Sequence, residues 1–340
     1  MAKKRVVVLF GGSSKDHNVS LRSAFSVLNG LSGSKYDIIP VGITKAGRWL
    51  YFPGDYSAIP DGSWEEDPDC CSAILSPDPL HGGLIKLMED GGHSLQRIDA
   101  VFPVLHGKYG ECGQIQALCK LSDIGYIGSG FSAANACSDK MLTHLILNKA
   151  GIKTAKYYYL ERVDIDAVEE KFADIEKSID YPMFVKAAVS SRTVGGNLAN
   201  NREELKAAIK LAFSHHHKIL IEENITGKEL ECLVWGSVYS LNVSKIAEAA
   251  DNFELIIPAQ IDNSIAEEIS AAAKTAFLSL GCTNFARISF KLINGGCLRC
   301  CKVSNMPGFT ENDIMARLME ESGYEYSQML DMLIDSAKEA

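Results

Sequence analysis

The sequence predicts an α/β protein whose organisation changes near Ser138. The run KRVVVLF is typical of a buried strand and ends at Gly11 and Gly12. The following segment, HNVSLRSAFSVLNGL, has apolar residues at helical spacing, namely Val19, Phe25, Val27 and Leu28. After Ser138 a helix is followed by strands with charged residues at their ends. Such alternation is typical of sheets flanked by helices.

Two further strands are predicted in the N-terminal part, by YDIIPVGIT and DAVFPVLHG. An acidic excursion rich in proline and glycine, residues 53–79, separates them. This order predicts a parallel sheet with helices on its faces. The apolar run at residues 6–10 is too short for a signal peptide and is followed at once by Gly-Gly-Ser-Ser-Lys.

The second part begins with a helix, SDKMLTHLILNKAG, with Ser138 or Asp139 as N-cap and Gly151 as C-terminal stop. A strand YPMFVKAA, a polar loop VSSRTVGG and a helix NREELKAAIKLAF follow, and then the strands KILIEE and KELECLVWGS. A strand ELIIPAQ, a helix over 264–280, a hairpin and a last helix over 324–338 complete the chain.

Composition is that of a globular protein with room for two or three domains: 340 residues, 46% hydrophobic and 23% charged. The net charge of -9 argues against nucleic acid and anionic membranes as partners. No apolar run approaches the length of a membrane span. We therefore expect a cytoplasmic protein.

The 10 cysteines are expected to be free thiols. CLRCC, from Cys297 to Cys301, raises the alternative of a zinc site, but no second spaced pair completes four ligands. The run HHH at residues 215–217 raises a similar alternative. Its position favours a solvated helix C-terminus, where imidazoles suit the helix dipole.

The segment ARISFKLINGGCLRCCKVSNMPGFTEND predicts a hairpin: a strand, a turn at residues 294–296, a second strand and a Pro-Gly turn. Hairpins of this kind often carry catalytic groups, because the sheet fixes the side chains. Here the candidates form an unusual set of two hydroxyls and an ammonium, namely Ser289, Ser304 and Lys302.

A nucleotide enzyme needs cations for the phosphates and polar groups for the base. Lys140 at a helix start and Lys186 at a strand end are candidate phosphate contacts, the alternative being solvated surface lysines. Glu222 and Glu229 are candidate acceptors for an adenine amine and ribose hydroxyls, the alternative being surface acids.

Seven segments in order resemble the D-alanine–D-alanine ligase family of the ATP-grasp fold. They are FGGSSKDHNVSLRSA, VFPVLHGKYGECGQIQ, SDKMLTHLILNKAGI, YPMFVKAA, ILIEENITGKELEC, ARISF and NMPGFT. The resemblance covers almost the whole chain. YDIIPVGITKAGRW is most similar to the branch that contains the D-alanine–D-serine ligases of vancomycin resistance.

The resemblance implies a preATP-grasp α/β domain over residues 1–130 and an ATP-grasp domain over 131–340. The latter has a central lobe at about 138–225 and a C-terminal lobe at about 226–340, and both lobes are α+β. ATP is expected between two antiparallel sheets. It phosphorylates the carboxylate of one D-alanine, and the amine of a second D-amino acid attacks the acyl phosphate to give a peptidoglycan precursor. Family members are usually homodimers.

Site residues are also implied by the resemblance. Asp16 stands where the family has a Glu that helps to hold the first D-alanine, and His106 matches a substrate-site His. Arg287 and the backbone amide of Gly308 would stabilise the tetrahedral intermediate. The nucleotide, ATP or ADP, would be bound by side chains that reach the phosphates, adenine and ribose, namely Lys140, Lys186, Glu222 and Glu229.

The hairpin departs from the family pattern. The family holds two Mg²⁺ ions there through an Asp, a Glu and an Asn, and these positions are Ser289, Lys302 and Ser304 here. A hydroxyl is a weak ligand for Mg²⁺ and an ammonium is no ligand. We therefore expect no metal-ligating residues at this site.

Other departures fall on the same functional surface. The phosphate-covering loop reads KAAVSSRTVG, so Ala187, Ser191 and Arg192 replace a Pro, a Gly and a Ser. The segment 244–258 is too short for the family's lid and has no Tyr. Cys112 replaces an Asp, and Asp313 replaces a Ser that receives the second substrate's carboxylate.

Three functions fit these observations. The sequence favours a catalytically impaired paralogue that keeps the fold and nucleotide binding. The alternatives are an active ATP-dependent D-Ala–D-X ligase with unrecognised metal ligands, and an ATP-grasp enzyme of altered chemistry. Lys302 and Arg192 also suggest a metal-independent anion site with Lys140 and Lys186. The alternative is that both residues arose by drift.

Overall fold

A computed structural model describes residues 2–161, 168–189, 196–249, 254–293 and 296–337. Within these ranges the strands form three sheets, of eight, four and six strands. None of the helices in these ranges combines the length and apolar character that crossing a membrane requires. The predicted mixed α/β class is confirmed.

The first sheet has the strand order β6-β5-β4-β3-β2-β1-β7-β8. Its strands are β1 Lys4–Gly11, β2 Tyr36–Ile43, β3 Trp49–Tyr51, β4 Cys71–Leu75, β5 Gly83–Leu87, β6 His93–Arg97, β7 Ala100–Val104 and β8 Gly125–Tyr126. Only β1, β2, β7 and β8 are parallel. The prediction of a parallel sheet is therefore wrong for β3 to β6, because the chain reverses direction between each of these strands and its neighbour, which makes the ladders antiparallel.

Five helices accompany this part of the chain: α1 His17–Gly30, α2 Lys108–Glu111, α3 Gln114–Leu121, α4 Phe131–Ser138 and α5 Lys140–Lys149. The buried stripe of α1 differs from the predicted one, because Phe25 is exposed and Ser20 is buried. Ser20 Oγ accepts a hydrogen bond from Gly11 N at 2.8 Å and donates one to Val104 O. It thereby ties together the carboxyl ends of β1 and β7.

The second sheet is antiparallel throughout, in the order β11-β10-β12-β9. Its strands are β9 Tyr157–Glu161, β10 Met183–Ala187, β11 Asn197–Ala199 and β12 Lys218–Glu223. Helices α6, Phe172–Ser178, and α7, Arg202–His215, share a hydrophobic core with it. As predicted, α7 ends at the histidine run.

The third sheet is also antiparallel, in the order β16-β15-β13-β17-β18 with β14 paired to β13. Its strands are β13 Lys228–Ser237, β14 Ser240–Val243, β15 Ala247–Ala249, β16 Leu255–Ile256, β17 Asn284–Ile293 and β18 Cys297–Ser304. Helix α8, Asn263–Ser279, packs on it. Two features predicted from sequence are confirmed: the β17–β18 hairpin and the pair of antiparallel sheets.

Two predictions near the C-terminus are corrected. The strand ELIIPAQ is only Leu255–Ile256, because the following Pro258 has no N–H to donate to a ladder. The last helix, α10, is Tyr326–Asp335, and an unpredicted helix, α9 Ile314–Glu320, precedes it. Helix α10 returns to the first sheet, where Tyr36 donates a hydrogen bond from its hydroxyl to Asp331 at 2.8 Å.

Alternation along β17 directs one set of side chains into the core and another towards the second sheet. Ala286, Ile288 and Phe290 are buried in the hydrophobic core beneath α8. The intervening residues, Arg287, Ser289 and Lys291, occupy the opposite face. That face and the second sheet line a cleft.

Candidate active site

A cavity of about 220 Å³ lies in this cleft. The second sheet contributes Phe184 and Lys186 from β10 and Glu222 from β12. The third sheet contributes Lys291 and Cys301. The predicted nucleotide residues Lys186 and Glu222 are therefore brought together between the two sheets.

Glu222 is the most strongly paired carboxylate of the cavity. It is only 7% exposed, and its Oε2 lies 2.5 Å from Lys186 Nζ. Its Oε1 lies 2.7 Å from His144 Nε2. Burial alone raises the pKa of Glu222, but attraction to Lys186 and the hydrogen bond from His144 outweigh it and lower the pKa to about 2. Glu222 is therefore an ionised acceptor at neutral pH.

His144 fixes one edge of this carboxylate. Because ionised Glu222 can only accept, the proton of the contact is on His144 Nε2. The other ring nitrogen, Nδ1, lies 2.8 Å from Thr154 Oγ1, and the ring packs against Tyr157 with centroids 4.6 Å apart. The sequence interpretation missed His144. Its position four residues after Lys140, on the same helix face, was the available signal.

Lys140 lies beside this cavity at the start of α5. Asp139 rather than Ser138 caps the helix, accepting hydrogen bonds from the amides of Met141 and Leu142 at 3.0 and 3.2 Å. Lys140 Nζ lies 3.4 Å from the carbonyl oxygens of residues 187 and 188, which directly follow Lys186. The helix start is thereby joined to the end of β10.

The ammonium groups of three lysines influence one another here. Burial, and then repulsion from Lys186 and Lys302, lowers the pKa of Lys140 to about 8, against the opposing attraction of Glu222 and Glu111. Lys140, Lys186 and Lys302 therefore form one cationic cluster, which we call the lysine cluster. Arg192, the fourth predicted cation, lies outside the described residues, as does Ser191.

The hairpin face next to the cluster is organised by Glu231. Its Oε2 lies 3.1 Å from Arg287 Nη1, and its Oε1 accepts a hydrogen bond from Ser289 Oγ at 3.0 Å. Lys302 is directly opposite Ser289 in the ladder, and Ser304 is 5% exposed. The sequence interpretation missed Glu231, although it lies two residues after Glu229 on the same strand face.

These residues do not fit the two Mg²⁺ ions that the sequence resemblance implies. Mg²⁺ requires oxygen ligands in near-octahedral geometry. Ser289 provides a hydroxyl that already donates a hydrogen bond to Glu231, Lys302 provides an ammonium group, and Ser304 provides a buried hydroxyl. Across the described part of the chain, no group of three or more His, Cys, Asp or Glu side chains is arranged to hold a metal.

Glu229 stands at the more open end of the cleft. Its side chain is 60% exposed, and its Oε1 lies 3.3 Å from Lys291 Nζ. Lys291 also donates to the carbonyl oxygen of Ile225 at 3.0 Å, which holds the ammonium at the cavity wall. Lys291 was not predicted from the sequence, although it shares a strand face with Arg287.

Asp16 and His106 are brought together at the end of the first sheet. Ser14 Oγ accepts a hydrogen bond from Asp16 N at 3.2 Å and donates one to His106 O at 3.1 Å. Asp16 is 3% exposed, and within the described residues its Oδ2 has no hydrogen-bond partner. A Cβ on Gly107 would be 2.8 Å from that oxygen. A buried carboxylate oxygen in this state is suited to a ligand ammonium.

Gly308 is held against the Asp313 carboxylate. A Cβ on Gly308 would lie 2.4 Å from Asp313 Oδ2, so a larger residue there would require the Asp313 side chain to move. Asp313 Oδ2 accepts hydrogen bonds from Thr310 N and Oγ1, both at 2.8 Å. Asp313 therefore stabilises the turn that leads into α9. Part of the predicted short lid, residues 250–253, lies outside the described residues.

Comparison with known proteins matches nearly the whole chain. A family model described as D-ala D-ala ligase N-terminus matches residues 5–129, and one described as D-ala D-ala ligase C-terminus matches residues 146–335. The chain belongs to the D-alanine–D-alanine ligase family. Its members are ATP-dependent ligases that bind a nucleotide and D-amino acids, and the chain has their ATP-grasp fold.

Individual relatives match over the full length. The D-alanine–D-alanine ligase of Thermoanaerobacter sp. (strain X514) is 37% identical, covering 100% of this chain and 98% of the relative. That of Acetivibrio thermocellus is also 37% identical, covering 98% and 96%. The crystal structure of the VanG D-Ala:D-Ser ligase from Enterococcus faecalis has a TM-score of 0.91 and is 32% identical, covering 99% of this chain and 100% of that one.

Proposed function

We propose that the chain binds ATP or ADP between its two antiparallel sheets but has weak or no ligase turnover with D-alanine. The proposal rests on one observation, which is a contrast between the residues that line the cavity and those on the adjoining hairpin. Lys186 and Glu222 line a cavity beside Lys140, whereas the adjoining hairpin offers no carboxylate at Ser289 or Lys302. The ionised Glu222 is suited to an adenine amine, and Lys140 and Lys186 to phosphates.

Weak turnover follows from the charge that phosphoryl transfer develops. Mg²⁺ supplies most of the neutralising charge at such sites. Without ligands for it, stabilisation of the transition state must come from side chains such as Arg287 and from the Gly308 amide. Removing one such interaction typically reduces a rate by about 10²–10³. Losing several is expected to leave little ligase activity.

An active ATP-dependent D-Ala–D-X ligase is the second candidate. It is favoured by the 37% identity to D-alanine–D-alanine ligases across the whole chain and by the amino-acid end of the cleft. There Asp16 keeps a buried carboxylate oxygen directed at Gly107, next to His106. Both candidates therefore include a subsite for a D-amino acid.

The cellular location, oligomeric state and pathway proposed for either activity are carried over from the family. We propose a cytoplasmic homodimer that contributes to the metabolism of peptidoglycan precursors. In the impaired form, the protein would act as a nucleotide-binding pseudoenzyme of that pathway. Domain boundaries near residue 130 and, between the two ATP-grasp lobes, near residue 225 are part of this proposal.

Two measurements on pure protein test it. ADP should raise the melting temperature, because a ligand that binds only the folded state stabilises it. Phosphate release should stay near background with ATP, Mg²⁺ and D-alanine, alone or with D-serine. Absence of any nucleotide-induced stabilisation would contradict the proposed binding. Rapid Mg²⁺-dependent phosphate release would instead establish the second candidate.

A further inference from the structure

We infer that the cleft binds the phosphates of a nucleoside di- or triphosphate without a divalent metal. The Lys302 ammonium supplies the positive charge that a metal would otherwise supply. This inference rests on the proposed nucleotide site and specifies how that site is neutralised. It concerns the lysine cluster and the hairpin face that adjoins it.

Three carboxylates of the cleft are already paired with protein cations. Glu222 contacts Lys186 at 2.5 Å and Glu231 contacts Arg287 at 3.1 Å. The third carboxylate, Glu229, lies 3.3 Å from Lys291. A metal would have to displace one of these cations to gain a charged ligand, at the cost of leaving a partly buried cation unpaired. These pairs therefore oppose metal binding.

The hairpin places a cation where a metal would need an oxygen donor. Lys302 is in direct register with Ser289, and the Ser289 hydroxyl is oriented towards Glu231 by its 3.0 Å hydrogen bond. A positive ion entering between Ser289 and Lys302 would meet an ammonium at close range. Like charges repel each other, so this ammonium opposes binding of the ion.

The lysine cluster is instead suited to a polyanion. Lys140 and Lys186 are joined at the end of β10, where Lys140 Nζ lies 3.4 Å from the carbonyl oxygen of Ala187. Burial lowers the pKa of Lys140, and repulsion from the Lys186 and Lys302 ammonium groups lowers it further. Phosphate oxygens between them would relieve that repulsion and form charge-assisted hydrogen bonds.

The arrangement also orients the ligand. Glu222 and His144 line the cavity and suit an adenine amine, whereas Lys140 and Lys302, outside its lining, suit the phosphates. A nucleoside without phosphates should therefore bind independently of Lys302. This separates the role of the ammonium from general stability of the hairpin.

Calorimetric titration tests the inference with ADP and with adenosine, each in EDTA and in Mg²⁺. Wild type should bind ADP in EDTA at least as tightly as in Mg²⁺. Lys302→Ala should lose about tenfold in ADP affinity, or about 1.4 kcal/mol, and none in adenosine affinity. Lys302→Arg should keep most of the ADP affinity because it keeps the charge. Lys245→Ala, at an exposed pair with Glu321, is the matched control and should bind as wild type does.

Each contrary outcome has a distinct meaning. If wild type binds ADP only in Mg²⁺, the metal-free inference is wrong and the proposed nucleotide site stands. If Lys302→Ala binds ADP in EDTA as tightly as wild type, Lys302 is a drifted surface residue and the inference is equally wrong. If neither ADP nor adenosine binds under any condition, the proposed nucleotide site fails and the inference with it.

Discussion

Ser289 and Lys302 lie directly opposite each other on the β17–β18 hairpin, and Ser289 is hydrogen-bonded to Glu231 at 3.0 Å. This pair fixes a hydroxyl and an ammonium on the surface that faces the candidate phosphate site. The consequences can be tested at the pair itself and at the residues that surround the cleft.

Restoring acids to the hairpin should restore a response to metal. The variant Ser289→Asp, Lys302→Glu, Ser304→Asn places two carboxylates and an amide beside Glu231. Their mutual repulsion should lower the melting temperature in EDTA. Mg²⁺ should raise it again, because the ion binds only the folded state. Wild type, titrated in parallel, should show no comparable Mg²⁺ response. If Mg²⁺ changes the melting temperature of the variant no more than that of wild type, the hairpin does not hold a metal position.

Glu222 is expected to matter for stability as well as for binding. Glu222→Gln removes a buried carboxylate that balances the partly buried Lys186, which typically costs about 3 kcal/mol of unfolding free energy. Glu229→Gln is the control, because that side chain is 60% exposed and its pair with Lys291 should contribute less than about 1 kcal/mol. Urea unfolding at pH 7 compares the two, and equal losses would count against the buried pair.

The ionisation of Glu222 should make the stability of the protein depend on pH in the acid range. The folded-state pKa of Glu222 is about 2, below its ordinary value, so the folded protein binds this proton more weakly than the unfolded chain does. The stabilisation is therefore complete above about pH 4.5 and is lost as the pH falls towards 2. Glu222→Gln should show a shallower loss of stability over this interval. Parallel acid-unfolding profiles for wild type and variant would disprove the assignment.

The ionisation of Lys140 should make ADP affinity depend on pH in the alkaline range. Its pKa of about 8 means that the ammonium is lost well below the usual range for lysine. If the ammonium binds phosphate, ADP affinity should fall by about tenfold between pH 7 and pH 9. Lys140→Arg keeps its charge and should flatten the profile. Adenosine, which carries no phosphate, is the control ligand. An ADP profile as flat as that of adenosine would exclude Lys140 from the phosphate site.

Asp16 offers a contrast between stability and ligand binding. Its Oδ2 is buried and has no hydrogen-bond partner in the described part of the chain. Asp16→Asn removes a buried charge and should leave the free protein as stable as wild type or more stable. It should also abolish any rise in melting temperature caused by D-alanine. The reverse pattern, a destabilised protein with an unchanged D-alanine response, would show that Asp16 is purely structural.

Much of the fold followed from sequence periodicity. The apolar run of β1 and the alternation along β17 fixed two central strands, and the turn residues between β17 and β18 predicted their hairpin. The antiparallel strands β3 to β6 were missed, because they are only three to five residues long and lie in or beside a polar excursion rich in proline and glycine. The short helix α9 was missed for a different reason. Asp313, which caps it, was interpreted only as a ligand contact.

The site was predicted less completely. Lys140, Lys186 and Glu222 were candidates from their positions in the sequence, and the family resemblance assigned their roles. The structure places Lys186 and Glu222 in one cleft with Lys140 beside it. His144 and Glu231 were not predicted, since an isolated His or Glu gives no signal without knowledge of which face it shares. Each becomes visible only through spacing, four residues from Lys140 on a helix and two from Glu229 on a strand. Their partners, Glu222 and Arg287, come from distant parts of the chain.

The central claim is that the cleft takes nucleotide phosphates and excludes the metal. Mn²⁺, a paramagnetic substitute for Mg²⁺, tests this directly. A solution of Mn²⁺ and ADP is titrated with wild-type protein while electron paramagnetic resonance records the signal of free aqueous Mn²⁺. The account predicts that this signal rises, because the protein withdraws metal-free ADP and releases Mn²⁺. A fall in the signal, with the metal carried onto the protein together with ADP, would contradict it.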